Sequence, residues 1–117
     1  MEEDSLYFIR IKSVNSTGLS SATEVLAGIP SSNLKEVLVV NGFDRTSGTV
    51  NTFDFIRQHG QAIKNAGYAF SSASNEAIYL NYLSLKEFII VDWILGEEGT
   101  STDSFNSIEQ DLSLIHI

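Results

Sequence analysis

The chain has 117 residues, enough for one small domain with a modest core. Fifteen acidic against seven basic residues give a formal net charge of −8, which argues against nucleic-acid binding by phosphate neutralisation and against docking on an anionic membrane. There is no cysteine, so disulfides, thiolate catalysis and cysteine-ligated metals are excluded, and no stretch approaches the length of a transmembrane helix.

The opening residues, Met1 to Ser5, are acidic where a signal peptide is basic and then apolar. If the parent protein is secreted, its signal is expected upstream of this chain. Residues 6–14 alternate, with Tyr7, Ile9 and Ile11 on one face and Arg10 and Lys12 on the other, the pattern of a strand with one wet face. Asn15 to Gly18 supply a turn, and Thr23 to Ala27 form a second extended run that ends at Gly28-Ile-Pro30. The two runs read as a hairpin, which is marginal in water by itself.

The run Tyr7-Phe-Ile-Arg-Ile-Lys-Ser-Val-Asn15, with Gly18-Leu-Ser-Ser-Ala-Thr-Glu24 after it, resembles the end of a fibronectin type III domain. The resemblance implies that Tyr7 is the corner tyrosine and that the earlier strands are missing. Tyr7, Ile9 and Ile11 are then expected to be more exposed than such residues usually are. Asn15-Ser-Thr17 also fits a glycosylation acceptor, which in such a turn reads as coincidence.

Pro30 to Asn33 form a short polar hinge. The domain division expected is therefore 1–29 for the hairpin, 30–33 for a linker, and 34–111 for an α/β part. Val37-Leu-Val-Val40 is an unbroken aliphatic run, three of its residues β-branched, which predicts a strand buried on both faces, as parallel strands are. A loop over Phe43 to Thr49 leads to a helix predicted over 52–66, with Phe53, Ile56, Ile63 and Ala66 on one stripe and Gly60 beneath them. Asn51 or Thr52 is expected to cap it, Asp54 to favour its first turn, and Gly67 to stop it.

Tyr68-Ala-Phe70 predicts a second strand that the serines of 71–75 break up. Glu76 to Leu80 predict one or two helical turns, and Ser84 a capped turn into a strongly buried strand over Phe88 to Leu95. A polar loop over 96–103 precedes another helix over 104–111. The last six residues, 112–117, resemble the translated end of a sequencing adapter and are set aside from the fold. The expected fold class is α/β: part of a flavodoxin- or Rossmann-like parallel sheet in the order 2-1-3, preceded by the hairpin of a fibronectin-type sandwich. Right-handed crossovers give that strand order.

Gly42-Phe-Asp-Arg-Thr-Ser-Gly48 has five residues between its glycines and Thr49-Val50 after them. A phosphate loop needs four residues and then Lys-Ser/Thr, and the dinucleotide glycine pattern is absent too, so no cofactor is expected. His59 stands mid-helix, far in sequence from any acid–base partner, and reads as a packing or solvent-facing residue. His116 falls in the adapter-like end, so no histidine-based metal site or triad is expected.

In an open parallel sheet, ligands bind beyond the carboxyl ends of the strands. That rule selects Asn41, Asp44 and Arg45 after the first strand and Glu97 and Glu98 after the third as the candidate binding residues. They suit a hard cation, sugar hydroxyls or a basic group; the plainer alternative is that they solvate loop tips or cap the next helix. No nucleophile–base pair is expected among them.

Val39-Val-Asn-Gly-Phe-Asp-Arg45, Thr52-Phe-Asp-Phe-Ile-Arg-Gln-His-Gly60, Ala73-Ser-Asn-Glu76, Val91-Asp-Trp-Ile-Leu-Gly-Glu-Glu98 and the pair Glu109-Gln110 resemble the α/β region of bacterial proteins labelled xanthan lyase or golvesin-like. Many of those are similar to secreted N-acetylmuramoyl-L-alanine amidases with a fibronectin-type module between hydrolase and α/β region. The resemblance implies an accessory or binding module of a multidomain enzyme acting on cell wall or polysaccharide. It implies carbohydrate or peptidoglycan, and the rest of its own polypeptide, as partners, and an extracellular, periplasmic or cell-surface location. The alternative is that the α/β region is itself a hydrolase or lyase domain, with Asp44, Glu97 or Glu98 as acid–base groups; a third is structural spacing between modules. The region also resembles class I glutamine amidotransferase domains in pattern. Its matching segment, Leu95-Gly-Glu-Glu98, has no thiol, which removes that chemistry.

Overall fold

Val37–Asn41 forms a strand, β5, in which every residue is buried. The computed structural model describes residues 2–32, 36–43, 51–96, 107–108 and 110–111. In chain order the preceding strands are β1 (Tyr7–Ile9), β2 (Val14–Asn15), β3 (Gly18–Leu19) and β4 (Leu26–Gly28). After β5 come α1 (Phe55–Asn65), β6 (Ser71–Ser74), α2 (Asn75–Tyr79), a 3-10 turn at Leu85–Glu87, and β7 (Ile90–Ile94).

β5 lies between β6 and β7, parallel to both, with Val39 opposite Ser72 on one side and Asp92 on the other. The central position of the first strand and the parallel directions match the expected order 2-1-3. Alternate residues of β5 serve two separate cores. Val37 and Val39 pack with Phe43, Ile56, Phe70 and Ile94 on the α1 side. Leu38 and Val40 pack with Ala73, Ile78, Leu85 and Phe88 on the side of α2 and the 3-10 turn. The result is a helix–sheet–helix sandwich of three layers.

Three local expectations are corrected. The second strand falls at 71–74, on the serines expected to break it, and not at 68–70. Its backbone ladder with β5 and the burial of Ala73 outweigh the poor strand propensity of serine, as tertiary context commonly does. The helix begins at Phe55 with Asp54 at its N-cap, not at Thr52; the Thr52 hydroxyl and carbonyl instead accept from Asp54 N and Phe55 N in a preliminary turn. β7 is only partly buried, because among the described residues it is an edge strand covered by β5 on one side alone.

Other local readings agree with the fold, except that Ala66, expected on the apolar stripe, is exposed at the C-cap of α1. Ile56 and Gly60 are the buried positions of α1, and a Cβ on Gly60 would come within 2.8 Å of Phe70 Cζ. Gly67, at φ +87°, ends the helix. The Ser84 hydroxyl accepts from Lys86 N at the 3-10 turn. The described residues within 107–111 are helical.

The hairpin forms, with Tyr7 opposite Gly28 and Ile9 opposite Leu26, and a short β2–β3 pair at its tip. It does not stand apart from the sheet. Ile29 N donates to Phe70 O at 3.0 Å, and Ala27 N donates to Ser72 Oγ at 2.8 Å, while that hydroxyl donates back to Ala27 O. β4 therefore runs antiparallel along the outer edge of β6, held by a side chain where a ladder would use backbone. Ala27 and Ile29 belong to the same core as Val37 and Val39, which follow the expected linker in sequence. Arg57 of α1 lies over the Phe8 ring at 4.6 Å, a second tie between hairpin and helix. On the opposite face Ile9 is 45% and Ile11 66% exposed, whereas Tyr7 is half-buried, its hydroxyl accepting from Glu2 N.

Replacing Ser72 by Ala leaves the N–H and C=O of buried Ala27 without their shared partner. The expected cost is about 1–3 kcal/mol, read as a lower urea midpoint at unchanged slope. An unaltered midpoint would show that the hydroxyl bridge does not hold the hairpin.

Candidate functional site

The carboxyl ends of β5, β6 and β7 are Asn41, Ser74 and Ile94. Of the five residues selected from sequence, Asn41 is described; Asp44, Arg45, Glu97 and Glu98 lie outside the described residues. Asn41 is not on an open rim. It is 1% exposed, and its side-chain nitrogen donates to Glu24 Oε2 and to Val25 O, both at 3.0 Å.

Both amide hydrogens are thereby used, and the two oxygens they meet fix which end of the amide is nitrogen. The oxygen, Oδ1, is buried and receives no hydrogen bond. Buried acceptors of this kind are uncommon and call for a donor.

Glu24 reaches this position from the segment between β3 and β4. Sequence reasoning passed over it as a site residue, since nothing local links it to a strand end 17 positions later. It is half-buried and lines a cleft of about 400 Å³ together with Thr23, Phe43, Phe53, Ser74 and Glu76. The cleft thus lies between the hairpin segment and the ends of β5 and β6, on the β6 side of β5. Among the described residues its polar side chains are two carboxylates and two hydroxyls. Its apolar wall is the stacked pair Phe43–Phe53, with ring centroids 5.9 Å apart at 25°.

Local backbone shapes this end of the sheet. Asn75 is buried and its Oδ1 accepts from Glu76 N, fixing the turn that presents Glu76. Gly42 has the Trp93 indole directly against its Cα, and a Cβ there would overlap the Nε1 and Cδ1 atoms of the ring. Ile94 O accepts from Gly42 N at 2.8 Å, extending the β5–β7 pairing by one residue.

His59 corrects a second expectation. It has an acid–base partner after all: its Nδ1 lies 2.6 Å from Asp92 Oδ2, joining α1 to β7. The 33-residue separation hides the pair from any local reading. Both side chains are about one-third exposed, at 37% and 33%. Asp92 sits mid-strand opposite Val39, two residues before the strand's carboxyl end, so the pair is not part of the cleft. Among the described residues no hydroxyl hydrogen-bonds the imidazole, and no three metal-ligating side chains come together. No helix among them is long and apolar enough to cross a membrane.

Comparison with protein-family models, curated proteins and solved structures finds no match to this chain.

Asn41→Asp exchanges two donors for a carboxylate facing Glu24 Oε2 and Val25 O. It is expected to destabilise by about 3 kcal/mol or more, exceeding Asn41→Ala at about 1–3 kcal/mol. Chemical denaturation of the two variants side by side checks the order. Equal losses would mean that the Asn41–Glu24 contact does not form.

Proposed function

We propose that this chain belongs to an accessory, ligand-holding module of a secreted bacterial enzyme acting on cell wall or other polysaccharide. In this reading the α/β part is the first portion of a flavodoxin-like domain, and the hairpin closes a fibronectin type III sandwich in front of it. The observation that carries the reading is the separation of the described imidazole–carboxylate pair from the concave site. The cleft at the strand ends offers carboxylates, hydroxyls and phenyl rings, while the imidazole–carboxylate pair stands elsewhere. Such a lining suits holding a hydroxyl-rich ligand better than breaking a bond in it. The sequence resemblances supply the cell-wall or polysaccharide context, the carbohydrate or peptidoglycan partner, and the extracellular, periplasmic or cell-surface location.

One observation favours a second reading, in which the α/β region is a hydrolase or lyase domain. An imidazole oriented by a carboxylate is the usual form of a general base, and His59–Asp92 has that form. In that reading Asp44, Glu97 or Glu98 supply the other acid–base group.

Assays of peptidoglycan and polysaccharide breakdown separate the two. This chain is expected to turn over neither substrate, and the accessory reading expects Asp44→Ala, Glu97→Ala and His59→Ala to leave the longer parent protein's activity within a few-fold. Abolition of parent activity by any of these would replace the accessory reading with the hydrolase or lyase one.

A further inference from the structure

We draw no further inference here: the strongest candidate, the apolar groove between the hairpin strands β1 and β4 and the outer edge of β6, lined by Tyr7, Ile9, Leu26, Pro30 and Phe70, carries nothing because no feature of the structure shows what covers it.

Discussion

Complete burial of β5 is the constraint on which the architecture depends. A strand of five buried residues has two apolar faces, and each must be covered for the strand to leave water. Helix α1 covers one, and α2 with the 3-10 turn covers the other. Each fully buried aliphatic side chain there contributes about 1.5–3 kcal/mol, so the strand's four aliphatics outweigh any single polar contact in the molecule. The pairing of β6 and β7 then satisfies the backbone of β5 on both edges. The carboxyl end of that strand, where Asn41 and Gly42 lie, is consequently the most firmly placed part of the candidate site.

What sequence revealed and what it hid divide along one line. β5 was legible because an unbroken aliphatic run between turn signals has few other solutions, and its central place came from crossover handedness. The serines of β6 were illegible because their strand character comes from neighbours: β5 on one edge and β4 on the other. No window of residues around Ser72 contains Ala27.

The same division governs the site. Asn41 was selected by a rule about strand ends, and the structure gives it a buried role rather than an open one. Glu24 and the His59–Asp92 pair were missed because their partners are 17 and 33 residues away, brought together by the docking of the hairpin and by the β5–β7 pairing. Long-range polar contacts of this kind leave no periodicity in a single sequence. Apolar burial does, which is why the core was readable and the cleft was not.

The close approach of Gly42 to Trp93 has an optical consequence. Trp93 is the chain's one tryptophan, so its indole is the sole source of tryptophan emission. It lies against the residue that ends the central strand's pairing, and the next residue, Phe43, lines the cleft. The fluorescence of this molecule therefore does not average over the fold. It samples one spot, the seam where β5 and β7 part, and its intensity and wavelength carry a built-in record of how tightly that seam is closed.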